Sequence, residues 1–253
     1  MSRFFVERGN IYPDKIIITG EDYNHIRNVL RYKVGDNLIL CDGENYDFSV
    51  TIDTFNANSI ITTILHKQKN RTEPFLDITL FQGIAKGEKM DFIVQKSVEL
   101  GVKNIVPVVT ERTVVRLEKN RDEIKKKERW QKIALEAAKQ CNRGIIPQIG
   151  LPQKFNKATE SMNKFDLSLI PYERERDSSL RSVLYDFKKK NPDDKKAEIA
   201  IFIGPEGGFS EQEIQAAMKA GAIPVTLGPR ILRTEAASLA MLSIVMYELG
   251  AME

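Results

Sequence analysis

From Phe75 onward the chain keeps to one grammar: short apolar or β-branched runs alternate with longer amphipathic stretches. Residues 76–81, 105–109, 165–170, 198–203 and 223–227 read as strands. Helices are expected over about residues 88–100, stopped by Gly101, and over about 121–142, with Gly144 just past the end. Strands separated by helical crossovers pair in parallel, in a sheet covered by helices on both faces. The expected fold class is therefore α/β. Ligands of such sheets collect beyond the carboxyl ends of the strands, so chemistry is sought in the loops that follow them.

The first 70 residues follow a different pattern. Short β-branched or aromatic runs at 4–6, 15–19, 37–41, 46–52 and 59–65 are separated by turn signals such as Gly35-Asp36, Asp42-Gly43 and Asn56-Ala57-Asn58. One helical stretch, 22–30, interrupts them. Several short strands with one helix suggest a small β-barrel, because closure hides strand edges that would otherwise stay unpaired. Residues 67–74, polar and ended by proline, read as a linker. Two domains are expected, a barrel over 1–70 and an α/β domain over 75–253, and 253 residues suffice for both.

No apolar run approaches the roughly 20 residues that cross a bilayer. The start, MSRFFVERGN, lacks a secretory layout, and Cys41 and Cys141 have no paired spacing, so neither a disulfide framework nor a metal site is suggested. The expectation is a cytoplasmic protein without membrane or metal. A net charge of +3, from 38 basic and 35 acidic residues, does not by itself identify a nucleic-acid partner. The local clusters, Arg27, Arg31 and Lys33 together with residues 66–71, could meet phosphates or could be a solvated surface.

Two loops carry the chemistry. In IFIGPEGGFS a strand ends, three glycines and a proline follow, and Ser210 opens a helix with Glu213 placed for a capping box. Glycine lets a backbone approach a ligand closely, and a helix start presents free N–H groups. There is no GxxxxGK[ST] or GxGxxG element, and Glu206 would repel phosphates, so a neutral or cationic ligand fits better than a polyphosphate. Taken alone, such a loop is more often a tight crossover turn without a ligand. The second loop, LGPRILRTEA, also follows a short strand, with Thr234 a good N-cap for the last helix. That helix, 236–249, is apolar almost all round and must be buried, either inside one domain or against a second subunit. Arg233, between Leu232 and Thr234, could stabilise negative charge developing on a substrate, or could be a surface arginine paired with Glu235 or Glu248.

IGPEGGFS and LGPRILRTEAA closely resemble the signature motifs of the bacterial 16S ribosomal RNA uracil-N3 methyltransferases, members of the SPOUT superfamily of knotted methyltransferases. FQGIAKGEKMDFIVQKSVELGV and EAAKQCNRGIIP resemble further segments of that family's catalytic domain, and RFFV and HIRNVLRYKVGD resemble its PUA-like barrel. The resemblance covers essentially the whole chain and is poorest over 150–198. It implies a C-terminal trefoil knot, a homodimer, and S-adenosylmethionine held largely by backbone groups. Carried onto this sequence, the cofactor residues would be Leu169, Pro171, Gly204, Glu206, Gly207, Leu227, Gly228, Ile231, Leu232, Thr234 and Ala236.

The implied reaction is methylation of N3 of a uridine in 16S ribosomal RNA, as naked RNA or within the small ribosomal subunit. Arg233 would stabilise anionic character on the uracil carbonyls, and Glu206 and Glu235 are candidates for the base. RNA would be gripped by Arg3, His25, Arg27, Arg31 and Lys33, with Lys86 and Arg143 extending the surface. Two alternatives stay open at this point: a non-catalytic RNA-binding protein that kept the fold, and a SPOUT enzyme methylating another atom.

Overall fold

The computed structural model describes residues 3–115, 120–191 and 196–252. The chain divides into two compact units: 1–73 with 138–146, and 74–137 with 147–253.

The first unit holds strands β1 (Arg3–Phe5), β2 (Lys15–Thr19), β3 (Asn37–Cys41), β4 (Tyr46–Phe55) and β5 (Ser59–Lys69) in one sheet of order β1-β3-β4-β5-β2. Period-2 alternation sends Ile16 and Ile18, Leu38 and Leu40, and Val50 and Ile52 to one face, where they bury almost completely. Phe4 from one end of the sheet and Ile16 and Ile18 from the other share a single core. The sheet therefore curls around that core, although β1 and β2 do not pair among the described residues. Residues 67–69, expected in a linker, instead extend β5, paired in register with Phe48, Asp47 and Tyr46. The expected helix over 22–30 splits into α1 (Gly20–Asn24) and a π-helical turn, His25–Val29, closed by Leu30 N–H on the His25 carbonyl at 2.9 Å. Arg31 follows with φ +57°.

The return segment 138–146 joins this unit through polar contacts. Glu73 accepts from Arg143 Nη2 at 2.7 Å, Gly144 N–H at 2.8 Å and Ile145 N–H at 3.0 Å. Thr72 Oγ1 donates to the Asn142 carbonyl at 2.8 Å.

In the second unit, seven strands are paired in parallel: β6 (Asp77–Gly83), β7 (Asn104–Val109), β8 (Gln148–Ile149), β9 (Gln153–Lys154), β10 (Leu167–Pro171), β11 (Glu198–Ile203) and β12 (Ile223–Val225). Their order is β12-β10-β11-β6-β7-β8, with β9 also on β7. Helices α2 (Glu88–Glu99), α3 (Asn120–Gln140), α4 (Phe155–Thr159), α5 (Leu180–Lys190), α6 (Glu211–Lys219) and α7 (Thr234–Glu248) supply the crossovers and covers. The central strands β6 and β11 are buried nearly throughout, as a sheet covered on both faces requires. Phe81 and Phe202 are register partners, so their rings stack at a centroid distance of 4.2 Å. Helix α5 lies in the stretch where the family resemblance is poorest. Among the described residues no helix is long and apolar enough to span a membrane, and no group of three or more His, Cys, Asp or Glu could hold a metal.

Candidate active site

Strands β12, β10 and β11 lie side by side and run parallel, so the loops leaving their carboxyl ends emerge along one rim. Residues 172–179, 204–210 and 226–233 form these loops. Between them opens a cleft of about 490 Å3, a size suited to a small-molecule ligand. A second hollow of about 500 Å3 is bordered by Thr79 and Asn104, near the amino ends of β6 and β7, the wrong end of such a sheet for ligand chemistry.

The glycine loop is shaped by turn chemistry. Gly208, at φ +66°, closes a turn through its N–H to the Pro205 carbonyl at 2.9 Å. Ser210 then caps α6: its hydroxyl accepts Glu213 N–H at 3.2 Å, and Glu213 Oε2 accepts Ser210 N–H at 2.9 Å, completing the capping box. Gly83, at the end of β6, makes room beneath the loop, since a Cβ there would lie 2.5 Å from Pro205 N. Arg112 Nη1 donates to the Gly207 carbonyl at 2.9 Å.

Glu206 faces its own protein. Its Oε1 accepts Lys86 N–H at 3.0 Å and Lys89 Nζ at 3.3 Å. Burial alone would push its carboxyl up, but hydrogen bonds from the Lys86 and Glu206 N–H groups and from Lys89 prevail and hold it below the usual carboxylate range. A carboxylate so stabilised is a weak base.

The second loop enters α7 differently from its expected cap. Arg233 is the N-cap residue, without a side-chain cap bond, and Thr234 is the first helical residue. Thr234 Oγ1 instead donates to the Gly204 carbonyl at 2.6 Å and accepts Gln82 Nε2 at 3.0 Å. The hydroxyl that fits a local cap is drawn to the neighbouring loop.

Pro171, Gly204, Glu206, Gly207, Leu227, Gly228, Ile231, Leu232 and Thr234 all border the cleft. Leu169 does not: it is fully buried within β10, in register with Ile201 and Ile223. Ala236, Arg233 and Glu235 also lie outside the lining. Arg233 is exposed, and the alternative role, pairing with Glu235 or Glu248, is not seen among the described residues. Glu235 Oε2 is enclosed with no hydrogen-bond partner among the described residues. Sequence reasoning missed Tyr172, Glu173 and Arg176 on the rim, and Gln82, Ser238 and Arg112 behind it. Gln82 carried a usable signal: a polar residue near the carboxyl end of an otherwise apolar strand.

Two expected RNA contacts are corrected. Arg3 is 8% exposed and bonded to Asp47, with Nη1 on Oδ2 at 3.0 Å. Arg143 is 3% exposed and paired with Glu73. Both guanidiniums are committed inside the first unit and cannot reach phosphate. His25, Arg27, Arg31, Lys33 and Lys86 are exposed. The guanidinium of Arg27 lies 5.7 Å from the ring centroids of both Tyr23 and Phe55.

A model described as an RNA methyltransferase domain matches residues 71–246, and one described as an RNA methyltransferase PUA domain matches 18–65. The ribosomal RNA small subunit methyltransferase E of Bacillus subtilis is 31% identical over 98% of this chain and 97% of its own. That of Aquifex aeolicus is 36% identical, over 94% and 95%. The crystal structure of the Neisseria gonorrhoeae methyltransferase E bound to S-adenosyl methionine superposes with a TM-score of 0.84 at 33% identity, covering 98% of this chain and 97% of that one. With its cleft at the carboxyl ends of a parallel sheet and its likeness to these proteins along nearly its whole length, the chain belongs to the RNA methyltransferase family that includes the ribosomal RNA small subunit methyltransferases E.

Proposed function

We propose that this protein methylates N3 of a specific uridine in 16S ribosomal RNA, with S-adenosylmethionine as donor. The observation that carries this reading is the cleft bounded by the loops 204–208 and 226–234; that the related Neisseria gonorrhoeae protein was crystallised with S-adenosyl methionine supports the choice of donor. Its residues fit that ligand: glycine backbone and the apolar side chains of Ile203, Leu227 and Leu232, with Glu173 and Glu206 offsetting the charge of Arg174, Arg176 and Arg230 on the lining. When bound, S-adenosylmethionine supplies an electrophilic methyl group carried by a cationic sulfur.

The chain's own residues hold donor and acceptor in line and exclude water. Uracil N3 must lose a proton to become nucleophilic, and Arg233, exposed beside the cleft, would stabilise the anionic character that spreads onto the carbonyls. Of the two candidate bases, Glu206 is held by Lys86 and Lys89, whereas Glu235 keeps one oxygen without a hydrogen-bond partner among the described residues; lying outside the cleft lining, it would act on uracil N3 through a water. His25, Arg27, Arg31 and Lys33 would grip RNA from the PUA-like domain, and Lys86 from the catalytic domain. The target base would be single-stranded or turned out of its stack.

The quaternary reading is a homodimer through α7. That helix buries Met241, Leu242, Val245 and Met246 on one side while Ile244 and Tyr247 stay 38% and 70% exposed on the other. Sedimentation should give twice the 28.8 kDa chain mass, and a monomer would refute it. A trefoil knot near the C-terminus and a cytoplasmic site of action beside the ribosome complete the proposal. The deciding experiment incubates the protein and S-adenosylmethionine with small ribosomal subunits, or their free RNA, from cells lacking this enzyme. Mass spectrometry should find one new methyl on a uracil N3; a ribose methyl or none overturns the assignment.

A further inference from the structure

Behind the cleft runs a chain of buried hydrogen bonds that joins three distant parts of the sequence. Gln82 and Ser238 are fully buried and Thr234 is 5% exposed. Ser238 Oγ approaches Gln82 Oε1 at 2.6 Å, Gln82 Nε2 donates to Thr234 Oγ1 at 3.0 Å, and Thr234 Oγ1 donates to the Gly204 carbonyl at 2.6 Å.

The direction of the chain follows from counting protons. Gln82 Nε2 also donates to the Gly83 carbonyl at 2.9 Å, an acceptor only, so its amide cannot turn over. Thr234 has one proton, given to Gly204, and therefore receives from Gln82. Ser238 completes the row at Gln82 Oε1, with the Thr234 carbonyl as its alternative acceptor at 2.8 Å.

Polar groups buried this deeply are costly unless all are satisfied, and an apolar cluster would close the same gap more cheaply. What the row provides is geometry. It ties the first residue of the glycine loop to the first residue of α7, with the rigid strand β6 as the common anchor. The two walls of the cleft cannot then shift independently.

We propose that Gln82, Thr234 and Ser238 are positioning residues that set the two loops at the separation S-adenosylmethionine requires, so that the cleft is organised before the ligand arrives. This rests on the reading that these loops bind the cofactor. Thr234→Val keeps the side-chain shape but removes both hydrogen bonds of the hydroxyl. Calorimetry on the full-length chain, well below its melting temperature, should show cofactor affinity reduced about tenfold or more, as expected when buried partners lose their bonds. Thr234→Ser retains the hydroxyl and should bind within about threefold of the native chain. Because Thr234 itself borders the cleft, Ser238→Ala, which lies off its lining and removes only the outermost link, is measured beside it and should also lose affinity. A purely structural role predicts lowered melting temperature with unchanged affinity in both variants, and that result overturns the proposal. A crystal of the native chain with S-adenosylmethionine away from 204–208 and 226–234 overturns the loop reading and this inference together. Ligand in the cleft, with Thr234→Val binding as tightly as the native chain, overturns the positioning role alone.

Discussion

Glu206 has a depressed folded-state pKa, which fixes the sign of its linkage to pH. Its contribution to stability is complete above the ordinary carboxylate value of 4.5 and is lost as pH falls through the lower folded value. Melting temperatures measured from about pH 3 to 7 should therefore show an acid-side decline that is shallower in Glu206→Gln, with the variant slightly less stable at neutrality. The cysteines give a second residue-scale prediction. Burial pushes the Cys41 thiol up to about 11, and Cys41 is fully buried, whereas Cys141 is partly exposed. Alkylation of the native protein near neutral pH should label Cys141 and spare Cys41 until the chain unfolds. Equal labelling would contradict the burial.

Among the elements, α6 fixes the far end of the glycine loop through its cap. Its cap serves two neighbours, since Glu213 Oε2 closes the box on Ser210 while Oε1 accepts Glu111 N–H at 2.9 Å. Ser210→Ala should cost about 1 kcal/mol in urea unfolding. Glu213→Ala should cost more, because it releases Glu111 as well. A smaller loss for Glu213→Ala than for Ser210→Ala would show that the Glu111 bond contributes nothing. Helix α7 illustrates the limit of element-level reasoning. Its nearly uniform apolar sequence cannot say which face is inside, and only packing distinguishes the buried row at Met241, Val245 and Met246 from the open one at Ile244 and Tyr247.

For the molecule as a whole, the first unit is discontinuous in sequence and depends on its return segment. Arg143 and Glu73 pair with side chains only 4% and 8% exposed, and the same carboxylate holds the Gly144 and Ile145 N–H groups. Removing one partner strands a buried charge, so Arg143→Ala should lose about 3–5 kcal/mol of stability. Urea unfolding followed in the isolated variant checks this, and a loss below about 1 kcal/mol would mean that the pair is solvated in solution. Residues 67–74 look like a polar linker, yet Lys67, Gln68 and Lys69 extend β5, and Asn70 and Glu73 are polar because they bond within the fold.

Periodicity, turn chemistry and caps act over a few residues, and what depends on them was readable from the chain itself: the longer strands and helices, though not β8, β9, α4 or α5, the α/β class, the capping box at Ser210 and the two loops that border the cleft. Strand order, the turning of Thr234 from its own helix to Gly204, and the choice of Arg3 and Arg143 as buried partners rather than surface cations were settled only in three dimensions. The reason is common to all three. A side chain's local preferences are worth about 1 kcal/mol, whereas an unpaired polar or charged group in the interior costs more, so tertiary partners far away in sequence decide where it goes.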